Sequence, residues 1–138
     1  MQYYKYIFFT AYVFISVFTS NVHSQNNLIE LLRNGQIKNL KGANLWKAEL
    51  NDFNMTDLDL SNADLSQANL KYANLKNANL KGAELKKANV YNANLKNANL
   101  KYANIEYTNL KKADLSEANL YYARAGLSAD RWDKNEVL

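Results

Sequence analysis

The sequence predicts an all-β solenoid, a chain that coils repeatedly about one narrow apolar core. From Leu40 to Leu120 every fifth residue is apolar, an unbroken series of 17 positions in which Met55, Val90 and Ile105 replace the usual leucine. Offset from it by two residues, from Ala43 to Ala123, runs a second series that is alanine in 14 of 17 places, Phe53, Leu58 and Thr108 being the exceptions. Between the two series stands Asn, Asp or Glu, as at Asn44, Asp64, Asn69 and Glu84.

The abundance of Ala, Leu and Lys favours helix on propensity alone, but the period forbids it. At about 100° per residue, a five-residue step carries the apolar position round the whole helix surface. A continuous strand fails as well, because five is odd and successive leucines would alternate between faces. The pattern is satisfied when Ala and Leu of a short extended piece both point inward and the chain then turns a corner and repeats. The intervening Asn or Asp points outward, where its side chain can bond nearby backbone and favour the turn. On this reading Leu80 is core, and Asn77 is an outward site that tolerates polar substitution.

Runs such as Ala68-Asn69-Leu70-Lys71-Tyr72 and Ala98-Asn99-Leu100-Lys101-Tyr102 resemble the pentapeptide-repeat family, whose unit is Ala-(Asp/Asn)-Leu-X-X. The resemblance covers about residues 38–125 and is specific because it recurs in tandem. It implies a right-handed quadrilateral β-helix with four repeats to a square coil and residues 20 apart stacked, so that Leu40, Leu60, Leu80, Leu100 and Leu120 share one column. At about 4.8 Å between stacked strands the rod would stand roughly 20 Å tall.

The ends need covers, because an open coil exposes core and strand edges. Residues 25–37 are expected to form an N-terminal helical cap, with Asn27 as N-cap, Leu28, Leu31 and Leu32 as its apolar face and Gly35 past its end. Phe53 and Leu58 would fill the tapering first coil. Residues 126–138 are expected to form a short C-terminal cap, N-capped by Ser128 and anchored by Trp132. The resemblance implies end-to-end pairing at this terminus, and so thin a lid beside Tyr121 and Tyr122 favours a homodimer.

Residues 1–24 read as a signal peptide: Lys5 supplies the basic region, Ile7 to Phe18 the apolar run, and Val22 and Ser24 the small-residue pattern before Gln25. The apolar run of about 12 residues is short of the roughly 20 that span a bilayer. The protein is therefore expected to be exported, periplasmic or secreted, with no transmembrane span after cleavage.

The chain has no Cys, which excludes disulfides and thiolate metal sites, and its one histidine, His23, lies in the leader. No cofactor is expected. The carboxylate pairs Asp57/Asp59 and Asp114/Glu117 could in principle do acid–base work, but Asp59 and Asp114 sit in the repeat's Asn/Asp slot. A narrow rod with a solid core offers no pocket, so the chain reads as non-enzymatic.

The surface is more informative. Nine lysines lie between Lys71 and Lys112 with only Glu84 and Glu106 against them, whereas Glu49, Asp52, Asp57, Asp59 and Asp64 gather near the other end. Stacking by 20 places Lys81 over Lys101 beside Tyr102, Tyr121 and Tyr122. A second face carries Lys71, Tyr72, Tyr91, Lys111 and Lys112. Cations interleaved with exposed aromatics suit an anionic or sugar-containing partner; the competing role is a solvated face that keeps the rod soluble. The expected function is an exported structural or interaction module whose partner is a protein or an anionic envelope polymer. Some family members resemble B-DNA and occupy the DNA site of gyrase. Export and a basic rod argue against that role here and against specific nucleic-acid binding.

Signal-peptide processing is directly testable: intact mass and N-terminal sequencing of the native protein should give a chain beginning at Gln25. Recovery of the full chain from the membrane would overturn the export reading.

Overall fold

The computed structural model describes residues 37–126, and the expected leader, N-terminal helix and C-terminal helix lie outside the described residues. Each repeat is one five-residue unit: inward Ala, a bridge residue, inward Leu, then two turn residues. The bridge residues pair in parallel at a step of 20, Asn39 to Asp59 to Asn79 to Asn99 to Asn119 on one side and likewise on the other three. Four repeats thus close one four-sided coil, and the coils stack in register.

Backbone hydrogen bonds set that register. On one side of the middle coil, Leu80 N–H donates to Asn99 O at 2.8 Å, Gly82 N–H to Lys101 O at 2.9 Å, and Asn79 N–H back to Leu58 O at 2.9 Å. Each corner is closed within its own coil by the N–H of the Ala-series residue bonding the preceding Leu-series carbonyl, as in Ala83 to Leu80 at 3.0 Å. All 17 of these turns have positive φ at their third residue, from 55° at Asn92 to 68° at Gly82, the sign pattern of a type II turn. Gly, Asn or Asp, which tolerate this conformation, fill eight of the 17 sites. Lys, Gln, Glu and Tyr fill the others at a cost of about 1–2 kcal/mol per residue. Hydrogen bonds across the coils hold them there, as for Lys87 N–H to Glu106 O at 2.9 Å.

The Asn/Asp slot does two jobs. Its Oδ1 accepts from the N–H two residues on, as Asp64 does from Ser66 at 2.9 Å and Asn94 from Lys96 at 3.0 Å, which preorganises the corner. Its amide also bonds along the column: Asn99 Nδ2 donates to Asn79 Oδ1 at 3.2 Å, and Asn79 Nδ2 to Asp59 Oδ1 at 3.0 Å. These side chains lie flat along the rod, and Asn104 is buried. Asn77 is less neutral than its outward position suggests. It holds φ 58° and donates to Asp57 at 2.9 Å, so the backbone, not polarity alone, restricts what can replace it.

Inside, Leu60, Leu65, Leu70, Leu75 and Leu80 are fully enclosed with the alanines between them. Phe53 and Leu58 are buried in the early coils, where larger side chains were expected. Thr108, the polar exception in the Ala series, donates its hydroxyl to Leu85 O at 2.7 Å and so carries its polar group inward already bonded. Leu110 and Leu120, in the last turns, are only half-buried.

Burial works against the charge of Asp59, but the Ser61 N–H and hydroxyl, Asn79 and the Lys41 charge together hold its carboxyl below the ordinary range. The Ser116 hydroxyl and N–H do the same for Asp114, with Lys96 adding to them.

Leu80→Asp, which buries an unpaired charge, should cost about 3 kcal/mol or more. Lys87→Asn, which relieves an unfavourable φ, should gain up to about 1 kcal/mol. Denaturant titration followed by circular dichroism measures both; a destabilised Lys87→Asn would show that the corner stores no strain. A third prediction concerns pH. Asp59 and Asp114 bind protons more weakly folded than unfolded. Their stabilisation is full above the unfolded carboxylate pKa of about 4 and is lost as pH falls through the lower folded values. The double change Asp59→Asn with Asp114→Asn should therefore flatten the acid limb of the stability curve, and an unchanged limb would contradict the account.

Candidate interaction surface

Because the corners repeat every 20 residues, each is a column of paired turn residues. The first corner carries Lys41-Gly42, Ser61-Asn62, Lys81-Gly82, Lys101-Tyr102 and Tyr121-Tyr122, with no acid among them. Tyr102 and Tyr122 stack with centroids 5.4 Å apart and planes 6° from parallel. Tyr121 lies against Tyr122 at 4.0 Å, and its hydroxyl donates to the Tyr122 oxygen at 3.1 Å. That hydrogen bond, with a smaller effect of lost solvent, holds the Tyr121 proton more tightly than usual. The Lys101 ammonium sits 5.0 Å from the Tyr102 centroid and 5.3 Å from that of Tyr121. The rings of Tyr102, Tyr121 and Tyr122 stay about half exposed or more, at 49%, 57% and 62%, so this aromatic mass is not spent on the core.

The opposite, third corner carries Asn51-Asp52, Lys71-Tyr72, Tyr91-Asn92 and Lys111-Lys112. Tyr72 and Tyr91 meet edge to face at 5.9 Å. Lys71 lies 5.6 Å and 5.7 Å from their two centroids, and Lys112 lies 5.8 Å from that of Tyr91. All ten residues singled out in the sequence thus fall on two opposite corners. Lys81 and Lys111 are brought into their columns without an ion pair or ring contact among the described residues.

The remaining two corners differ in charge. Lys86 pairs with Glu106 at 3.5 Å on the second, and Lys96 with Glu117 at 3.3 Å on the fourth. The two carboxylate pairs considered for acid–base chemistry are engaged structurally: Asp57 by Asn77, Asp59 by Ser61 and Asn79, Asp114 by Ser116, and Glu117 by Lys96. Among the described residues no group of three His, Cys, Asp or Glu side chains is placed to hold a metal. An apolar cleft at the C-terminal end, lined by Leu110, Leu115, Leu120 and their neighbours, encloses about 10 Å³, room for no more than one water.

The sequence reading passed over Trp46, which is half exposed on the second corner with the Lys47 ammonium 4.2 Å from its ring. The signal was available: Trp46 and Lys47 fill the two turn positions of one repeat, the same aromatic–cation pairing seen at Lys71-Tyr72 and Lys101-Tyr102.

Comparison with known proteins bears on the fold. A family model described as pentapeptide repeats matches in eight copies over residues 39–71, 59–97 and 93–125. No curated protein sequence matches the chain. Among solved structures, the pentapeptide repeat protein Rfr23 from the cyanobacterium Cyanothece 51142 is 35% identical, with a TM-score of 0.58 over 64% of this chain and 57% of its own. The match thus spans less than two thirds of Rfr23. The pentapeptide repeat protein alr5209 from Nostoc PCC 7120 is 32% identical over 67% of this chain and 72% of its own, with a TM-score of 0.49. HetL, a pentapeptide repeat protein involved in heterocyst differentiation regulation in the same Nostoc strain, is 30% identical over 59% and 48%, with a TM-score of 0.43. With repeats matched continuously from 39 to 125 and a 20-residue, four-sided coil, the chain belongs to the pentapeptide repeat family and has that family's right-handed quadrilateral β-helix.

Proposed function

We propose that this protein is an exported, non-enzymatic interaction module that engages an anionic partner through the lysine–tyrosine columns of its first and third corners. Pentapeptide repeat proteins are generally structural or interaction modules rather than enzymes. The observation that carries the reading is the first corner, where Lys101 lies between two exposed tyrosine rings and Lys81 stands unpaired above it. Cations held against aromatic faces gain about 0.5–1 kcal/mol at exposed sites, and rings held by neighbours lose little entropy when a ligand arrives. The signal-peptide pattern of residues 1–24 supports export, which would put the anionic polymers of a cell envelope within reach of these corners.

A DNA-mimic role finds less support. Mimicry needs a continuous negative face, whereas the first corner has three lysines and no acid, and the carboxylates of Asp59, Asp64 and Asp114 are turned to capping backbone N–H groups.

Binding should be weak and electrostatic, with affinity for anionic polymers falling steeply as salt rises. Changing Lys81, Lys101 and Lys111 together to Gln should weaken it at least tenfold and leave the circular dichroism spectrum unaltered. No binding to any anionic polymer at low salt would refute the reading and leave the lysines as a solvated face.

A further inference from the structure

The second corner carries side chains that the reading above leaves without a role. Its column runs Trp46-Lys47, Ser66-Gln67, Lys86-Lys87 and Glu106-Tyr107. Among the described residues the exposed large apolar side chains are Trp46, Tyr72, Tyr102, Tyr107, Tyr121 and Tyr122. All but Tyr72 stand on the first or the second corner. These two corners are adjacent, so the exposed rings are gathered on one side of the rod.

Charge is sided in the same way. Between the two corners runs the bridge column Asn44, Asp64, Glu84, Asn104 and Arg124. Corners and column together hold seven cations and three carboxylates, whereas the opposite side, formed by the third and fourth corners and the column between them, holds five and four. The three carboxylates are engaged. Asp64 accepts from the Ser66 N–H at 2.9 Å, Glu84 accepts from Asn104 at 2.7 Å with Arg124 4.0 Å away, and Glu106 pairs with Lys86 at 3.5 Å. Lys81 and Lys87 make no ion pair among the described residues, and Lys47 and Lys101 are held against rings.

Lysine beside Trp and Tyr, with no large aliphatic side chain exposed among the described residues, suits a surface that lies on a bilayer. Aromatic rings settle at headgroup level, and flexible lysines reach the lipid phosphates. A protein interface draws on Trp, Tyr and Arg but is poor in lysine. A linear polymer following one corner would meet either Trp46 and Tyr107 or the first-corner tyrosines. A plane resting on two adjacent corners meets both sets.

We propose that the side between the first and second corners is a membrane-docking surface, on which the rod lies flat against an anionic lipid bilayer with Trp46 at headgroup level. This goes beyond the polymer-binding reading and does not depend on it. Docked in this way, the rod turns Lys71, Tyr72, Tyr91, Lys111 and Lys112 away from the bilayer, where they stay open to another partner.

The test uses the full chain carrying Trp132→Phe, which leaves Trp46 as its one tryptophan. It is mixed with vesicles of equal parts phosphatidylglycerol and phosphatidylcholine, and with vesicles of phosphatidylcholine alone. Only the anionic vesicles should shift Trp46 emission to the blue and shield it from acrylamide, and high salt should reverse both effects. Attachment through the apolar leader would not distinguish the two vesicles. Each lysine near an anionic surface is worth about fivefold in affinity. Changing Lys81, Lys87 and Lys101 together to Gln should therefore weaken binding at least fiftyfold. Gln is tolerated at the positive φ of site 87, as Gln67 in the same column holds φ 60°. The equal charge change on the opposite side, Lys71, Lys111 and Lys112 to Gln, should weaken it less than threefold, and both variants should keep the parent circular dichroism spectrum.

Equal losses in the two variants would overturn the inference, since binding would then follow net charge and not one side. So would association with anionic vesicles that leaves Trp46 emission unchanged, or single-stranded DNA or polygalacturonate shifting Trp46 at lower concentration than the vesicles do. Failure to bind vesicles at low salt would also overturn it, while binding of soluble anionic polymers in the same buffer would leave the broader reading standing.

Discussion

The backbone hydrogen bonds that tie residue 80 to residue 99, and each equivalent pair along the rod, are the constraint from which the rest of this structure follows. They fix a step of 20 residues between coils, and with it the neighbour of every side chain. Leucines meet leucines, alanines leave room for them, and Asn lies on Asn so that each carboxamide can serve its neighbour as well as its own corner. Repeats far apart in sequence are thereby combined into one surface. Lys81, Lys101, Tyr102, Tyr121 and Tyr122 come from three successive passes through the first corner. A slip of five residues would preserve the apolar pattern yet scatter this group over two corners, so the surface chemistry depends on register more strictly than the core does.

Local preference and register disagree at the corners. Positive φ suits Gly, Asn and Asp, yet Tyr72, Tyr102, Tyr107 and Tyr122 hold it at 57–62°. Three of these four belong to the two lysine–tyrosine corners. An Asn at any of these sites would satisfy the turn at lower cost, as Asn62, Asn92 and Asn97 do elsewhere. Backbone strain of this kind persists only where the surroundings overdetermine it. Here the inter-coil bond of each turn, such as Tyr72 N–H to Tyr91 O at 3.0 Å, supplies that constraint. The rod is thus able to display aromatic rings at positions that an isolated turn would give to glycine.

Much of this was legible in the chain. The five-residue period excluded helix and continuous strand, placed Leu80 inside and assigned Phe53 and Leu58 to the core, because inward and outward are properties of spacing. The 20-residue stack came from family resemblance and then ordered Lys71, Tyr72 and Tyr91 into contact. Other features were hidden for physical reasons. The left-handed turns were masked because Lys, Tyr, Gln and Glu occupy more than half of them, so composition does not announce the conformation. The bonding of Asn77 to Asp57 depends on side-chain direction across coils, which spacing alone does not give.

The central claim is the 20-residue register, and scalar coupling through hydrogen bonds in solution NMR reads it most directly. With the protein labelled in ¹⁵N and ¹³C, the amide nitrogen of Leu80 should correlate with the carbonyl carbon of Asn99, and that of Gly82 with Lys101. Correlation of Leu80 with Asn94 or Asn104 instead, a slip of one repeat in either direction, would contradict the register and with it the assembly of the first corner.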